Sequence, residues 1–62
     1  MTPELAEVSI ECLQDTAVFL RQIRALMAKH DLPRIAGKLE AATVVLRDVM
    51  EDLDLLRNEM LE

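Results

Sequence analysis

The stretch "HDLPR", His30–Arg34, decides how this chain folds, because it interrupts what would otherwise be one long helix. The residue before a proline is driven out of the α-helical region, so a helix arriving from the N-terminal side must end before Pro33. Proline is tolerated in the first turn of a helix, where its missing N–H has no intrahelical partner. The stretch therefore predicts the end of one helix and the start of another, with Asp31 or Leu32 as the cap of the second.

The segments on both sides of this break have the composition of helices. Thr2 and Pro3 offer a capping hydroxyl and a proline at the first helical position, and neither glycine nor proline follows until Pro33. Beyond the break the only glycine is Gly37, which costs about 1 kcal/mol relative to alanine. We predict an all-α chain with helices over about 3–29 and 33–61, forming a single domain over residues 1–62.

Both predicted helices carry a repeat of apolar residues at alternating spacings of three and four, which is typical of helices that pack side by side. The predicted seam consists of Leu5, Ser9, Cys12, Thr16, Phe19, Ile23, Leu26 and His30 in the first helix, and of Leu32, Ile35, Leu39, Ala42, Leu46, Val49, Leu53, Leu56 and Met60 in the second. If the helices fold back antiparallel, facing residues have numbers that add to 65, and Ser9 meets Leu56 while Ile23 meets Ala42. Such pairing of small with large side chains predicts an antiparallel two-helix hairpin.

A hairpin of 62 residues has little core, and a single core of this size yields roughly 3–5 kcal/mol. The one cysteine, Cys12, cannot close an internal disulfide, so oligomerisation is the stabilising device left. We therefore expect a homodimeric four-helix bundle. The flank after the predicted seam supplies its dimer interface, namely Ile10, Leu13, Ala17, Leu20, Met27, Thr43 and Met50.

The charge distribution indicates how two hairpins would be oriented. The turn end, residues 21–38, carries a net charge of +4, whereas residues 1–20 carry -4 and residues 39–62 carry -5. Hairpins with their turns at opposite ends bring unlike charges together, while turns at the same end bring like charges together. We expect an antiparallel dimer.

In length and predicted architecture the chain resembles the small two-helix plasmid-copy-number regulators of the Rop type, which are dimeric four-helix bundles that bind paired RNA loops. The resemblance is one of shape, without a shared motif. It suggests an alternative function, RNA binding by the basic turn end through Arg21, Arg24, Lys29, Arg34 and Lys38. The net charge of -5 and the lack of an aromatic residue outside the predicted seam, where Phe19 lies, argue against nucleic-acid binding.

The sequence carries no recognisable catalytic or metal-binding arrangement. It has no phosphate-binding glycine loop and no zinc, nucleophile or metalloprotease motif. The acidic group Asp48, Glu51, Asp52 and Asp54 is interpreted as a solvated helix face, His30 as a turn residue and Cys12 as a core residue. We expect no enzyme activity, no cofactor and no metal.

A strip of apolar residues is left outside the predicted bundle, and it is the candidate site for another protein. It consists of Val18, Ala41, Val44 and Val45. The function we predict is a dimeric helical adaptor, inhibitor or regulator that acts by binding a larger protein; a purely structural oligomerisation subunit is a further alternative. The longest apolar run, "AATVVL", falls far short of the ~20 residues of a membrane span, and the chain opens on acids rather than the bases of a leader, so we expect a cytoplasmic protein without membrane contact.

Overall fold

A computed structural model describes residues 1–61 and consists of two helices, α1 (Pro3–Lys29) and α2 (Pro33–Leu61). The helices pack along each other in a rod that is 48 Å long and 14 by 12 Å across, measured on Cα atoms. The prediction of an all-helical hairpin is confirmed, and its predicted helix bounds agree with those of the structure.

Helix α1 begins as the sequence predicts. The hydroxyl oxygen of Thr2 accepts a hydrogen bond from the backbone N–H of Leu5 at 3.2 Å, and the carbonyl of Thr2 accepts one from Ala6 at 3.1 Å. Pro3 occupies the first helical position and Glu4 lies in the first turn, where the helix dipole favours a negative charge. The start of α1 is therefore fixed by side chains close in sequence.

The connection between the helices is a Schellman turn. The N–H of Leu32 donates to the carbonyl of Met27 at 2.8 Å, and the N–H of Asp31 donates to the carbonyl of Ala28 at 3.2 Å, which is the paired hydrogen bonding of that motif. Asp31 adopts the left-handed conformation, with φ of 63°, at the position where glycine is usual. Leu32 then immediately precedes α2, so three residues, His30 to Leu32, reverse the chain.

Residues with reduced exposure mark the surfaces along which the helices meet, and they recur at spacings of three and four. We call the regularly spaced members of this set the hairpin seam; they are Pro3, Ala6, Ile10, Leu13, Ala17, Leu20, Arg24 and Met27 in α1, and Ala36, Leu39, Thr43, Leu46, Met50, Leu53, Arg57 and Met60 in α2, with the half-buried Ser9 and Asp54 beside them. The numbers of facing residues add to 63, so that Ala17 lies level with Leu46. Ala6, Ala17 and Thr43 are buried, and the other members are half-buried.

The predicted seam is therefore wrong by about one residue of helix rotation. In α1 each predicted member precedes the observed one, as Phe19 precedes Leu20, and Phe19 itself is 65% exposed. In α2 the leucines Leu39, Leu46 and Leu53 belong to both sets, but the predicted intervening residues are replaced by their neighbours. His30, predicted at the end of the seam, is an exposed turn residue.

Two physical features account for the observed rotation. The three-residue turn leaves little freedom in how α2 emerges relative to α1, so the turn itself selects the faces that meet. The selected faces also present small residues at three of the closest positions, because Ala6, Ala17 and Thr43 are the buried ones. The hydroxyl of Thr43 is accommodated there because it donates to the carbonyl of Leu39 at 2.9 Å.

The observed seam can be distinguished from the predicted one by enlarging an alanine. Ala17 is 2% exposed, so Ala17→Leu should overpack the hairpin and lower the free energy of unfolding by about 1–3 kcal/mol. Ala25→Leu adds the same side chain at an exposed position of the same helix and should change stability little. Urea unfolding followed by circular dichroism at one protein concentration measures both, and equal effects would contradict the observed seam.

The left-handed turn residue gives a second test. Asp31→Gly removes the steric cost of a side chain at positive φ, and the greater entropy of glycine in the unfolded chain offsets part of this gain. The net effect should be a rise of about 1 kcal/mol in the free energy of unfolding. Asp31→Ala keeps the side-chain penalty and loses the polar group that tolerates this conformation, so it should be less stable than wild type. The same unfolding measurement applies, and the reverse order of the two variants would contradict a left-handed turn.

Candidate functional site

The hairpin seam leaves one side of the molecule rich in apolar residues. Positions one residue before each seam residue are turned back by about 100° around their helix. Because the helices run antiparallel, these positions lie on the same side in both of them. We call the apolar members of this side the apolar face; they are Leu5, Cys12, Phe19, Ile23, Leu26, Ile35, Ala42, Val45, Val49 and Leu56.

The apolar face is open to solvent in the single chain. Its members are all exposed, and the largest, Phe19, is also among the most exposed, at 65%. The interspersed polar residues are mostly small or lie near the ends, and Thr16 turns its hydroxyl to the carbonyl of Cys12 at 2.9 Å, which removes a donor from the surface. The face is thus a continuous apolar stripe along the rod, of the kind that marks an interaction surface.

The opposite side of the hairpin, formed by the positions one residue after each seam residue, is charged, and we call it the charged face. Here Arg24 lies 3.8 Å from Glu40 and Arg57 lies 3.9 Å from Glu7, measured between guanidinium nitrogen and carboxylate oxygen. Both ion pairs join α1 to α2, but exposed pairs of this kind contribute at most about 1 kcal/mol each. The two sides of the molecule therefore differ sharply in character, and the apolar one lacks a partner within the chain.

The residues predicted to form a dimer interface lie in the hairpin seam instead of on an open flank. Ala17 and Thr43 are buried between α1 and α2 of one chain. The others, Ile10, Leu13, Leu20, Met27 and Met50, are half-buried at neighbouring levels of the seam. The structure thus brings these seven residues together, but it uses them to join the two helices of the same hairpin.

The residues predicted to bind another protein are spread over different surfaces. Val18 and Val44 follow seam residues and lie on the charged face, whereas Val45 precedes Leu46 and belongs to the apolar face. Ala41 is exposed on the outer side of α2, away from α1. Sequence analysis grouped Val44 with Val45 because both lie outside the predicted seam, but a turn of about 100° per residue places them on different sides of the observed hairpin.

The basic residues proposed for RNA binding are gathered at the turn end without forming one surface. Arg21 lies on the charged face and Lys38 on the side of the apolar face, while Lys29 and Arg34 flank the turn. Arg24 belongs to the hairpin seam and pairs with Glu40. The positive charge is thus distributed around the end of the rod.

The side chains that could take part in catalysis or metal binding are dispersed. Cys12 is exposed as part of the apolar face, rather than in the core as predicted, and His30 is exposed in the turn. Among residues 1–61, no three histidine, cysteine or acidic side chains are placed to hold a metal ion. Within the same range, neither helix is long and apolar enough to cross a membrane. Interaction through a surface is what the described arrangement offers.

Comparisons of the chain with models of protein families, with curated proteins and with solved structures found no match. The apolar face is therefore interpreted from its own geometry. Sequence analysis found most of its residues but assigned them to the interior of the hairpin. Whether a residue belongs to the hairpin seam or to the apolar face depends on the rotation of the helices that the turn sets.

Arg57 provides a test of the seam where it reaches the charged face. Its Nε is buried without a hydrogen-bond partner in the described chain, and its guanidinium contacts Asp54 and Glu7. Arg57 is half-buried and leaves one N–H unpaired within residues 1–61, so Arg57→Met, which removes this donor and keeps a comparable volume, should raise the free energy of unfolding by on the order of 1 kcal/mol. Arg47→Met, at an exposed position of the same helix, is the control and should have little effect. A clear loss of stability in Arg57→Met alone would show that the ion pairs outweigh the cost of burial.

Proposed function

We propose that this protein is a non-enzymatic protein-protein interaction module, a small helical adaptor or regulator, which self-associates through its apolar face as a homodimeric four-helix bundle. The single observation that carries the proposal is the continuous, exposed apolar face on one side of the hairpin. An apolar stripe of this length is a protein-binding surface far more often than a bare surface of a solitary domain.

The size of the core supports self-association. Within residues 1–61 the buried residues are Ala6, Ala17 and Thr43, and none of them is large. Fully burying a large apolar side chain contributes about 1.5–3 kcal/mol, and a side chain that is already half-buried has about half of this left to gain. Leu5, Phe19 and the other large members of the apolar face would together add a substantial second contribution to that of the seam, so folding and dimerisation would be coupled.

The bundle that results would act by binding rather than by chemistry. Closing the apolar face leaves the two charged faces outward, with Val18 and Val44 as exposed apolar residues among charges. A larger protein that is recognised there would meet the same surface twice, once on each hairpin, as symmetry requires. This is the arrangement of an adaptor or inhibitor that bridges or occludes its target.

The proposal is tested by placing a negative charge on the apolar face in one variant and on the charged face in another. Ile23→Glu puts a carboxylate on the apolar face and should convert the dimer to a monomer or weaken dimerisation by at least about 100-fold, because the charge would lose its hydration on pairing. Val44→Glu makes a comparable change on the charged face and should leave the dimer intact. Size-exclusion chromatography with light scattering, read by refractive index over a range of concentrations, measures the mass of each.

Two other outcomes have distinct signatures in the same preparation. A wild-type protein that is monomeric at all concentrations would refute self-association. RNA binding would appear as co-purifying ultraviolet absorbance, which is easily seen because the chain has no tryptophan or tyrosine; charge reversal at Arg34 and Lys38 should then abolish it. A dimer that binds neither RNA nor another protein would favour a purely structural subunit.

A further inference from the structure

We infer that the occupant of the apolar face is a second copy of this chain in one antiparallel register, in which α1 packs on α1 of the partner and α2 on α2 of the partner, with the two-fold axis between Ala17 and Val18 of α1. This inference rests on the proposed function and adds to it the orientation and the contacts of the interface. In this register the numbers of facing residues add to 35 in α1.

The first argument is the distribution of charge along the rod. The turn end carries the excess of basic residues, with a net +4 over residues 21–38, and the opposite end is acidic on both helices. A two-fold axis perpendicular to the helices lays the turn end of one hairpin over the acidic end of the other. An axis parallel to the helices would instead bring the two basic turn ends together.

The second argument is the size of the side chains along α1. On this side of α1 the residues of the first half are mostly small, Ser9, Cys12 and Thr16, and those of the second half are large, Phe19, Ile23 and Leu26. Antiparallel packing of α1 on its copy places the large half on the small half. In the inferred register Ser9 faces Leu26, Cys12 faces Ile23 and Thr16 faces Phe19, so small and large side chains interdigitate at these levels.

The third argument is that the same axis also pairs α2 with its copy. Because facing residues of the hairpin seam add to 63, an axis between Ala17 and Val18 lies between Val45 and Leu46 of α2. Ile35 then faces Leu56, Ala42 faces Val49, and Val45 lies beside its own copy. Lys38 of one chain then lies within one residue of the level of Asp52 in the second copy, so two side chains of opposite charge come close together.

Registers displaced by one heptad bring less of the apolar face into contact with the partner. A shift of one heptad in one direction leaves Leu26 and Ile35 beyond the end of the partner, and a shift in the other direction leaves Leu5 and Leu56 without apolar partners. The central register leaves only Leu5, opposite His30, at the edge of the contact and places the other large residues of both helices within it. The pattern of sizes, the extent of the face and the charges thus agree on one arrangement.

The native cysteine allows the register to be tested with one added thiol. In Ile23→Cys, the new cysteine of each chain faces Cys12 of the other, so mild oxidation should convert most of the protein to a covalent dimer. Within one chain the two cysteines lie eleven residues apart on a straight helix, about 16 Å, too far to form an internal disulfide. Wild type should remain uncrosslinked, because in this register its Cys12 residues are also about 16 Å apart along the axis.

The matched control is Leu5→Cys, which also adds a cysteine to the apolar face of α1. It lies roughly 27 Å along the axis from the partner's Cys12 in the inferred register and should not form a crosslink. A second measurement uses spin labels on Arg34→Cys in a Cys12→Ser background. The two labelled positions should be about 35 Å apart, whereas turns at the same end would place them below about 20 Å.

The reduced proteins are first measured by light scattering, so the two levels of the proposal fail separately. A monomeric wild type would refute the proposed function and, with it, this inference. A dimer in which Ile23→Cys does not crosslink, or in which Leu5→Cys crosslinks equally well, would refute the register while leaving self-association intact. A dimer with a short distance between the Arg34 labels would refute the antiparallel orientation.

Discussion

The structure depends on the three residues that reverse the chain. The Schellman turn at His30–Leu32, with Asp31 in the left-handed conformation, ties the end of α1 to the start of α2 by two backbone hydrogen bonds. So short a connection sets how each helix is rotated about its own axis. That rotation decides which of two neighbouring apolar repeats is turned inward and which is left in solvent. Because the helices meet along one interface, no other contact between them can impose a different rotation.

The consequence is that a second set of large apolar side chains is left outside. The inward repeat contains alanines and a threonine at its tightest points, whereas the outward one contains Phe19, Ile23 and Leu56. The small residues permit close approach of the helices, but the leucines and methionines beside them are only half-buried, so the hairpin alone leaves much apolar area in solvent to set against the entropy of ordering its chain. Association through the apolar face, as we propose, would supply what the internal interface does not.

The sequence was sufficient to predict the elements but not their rotation. The cap at Thr2, the break at Pro33 and the composition between them specify where the helices begin and end, because these are local effects. The repeat of three and four does not distinguish Phe19 from Leu20 as the inward residue, since both belong to repeats of mainly apolar residues with that spacing. The difference comes from turn dihedrals and from the fit of small residues across the seam, which are properties of the folded hairpin. For the same reason the adjacent Val44 and Val45 were grouped as one patch.

The two neighbouring repeats also explain how such a short chain can serve two interfaces. Leucines of α2, among them Leu39 and Leu46, lie at the boundary between the seam and the apolar face and would contribute to both. In both helices the apolar face is offset from the seam by one residue, so most side chains belong to one interface only. Helix α1 can therefore carry the size pattern that specifies a partner, small residues followed by large, without disturbing closure of the hairpin. Closure of the hairpin depends on the seam, with its buried alanines and half-buried leucines, whereas the side chains of the apolar face are not needed for closure and can specify the orientation of a partner through their sizes and the charges along the rod.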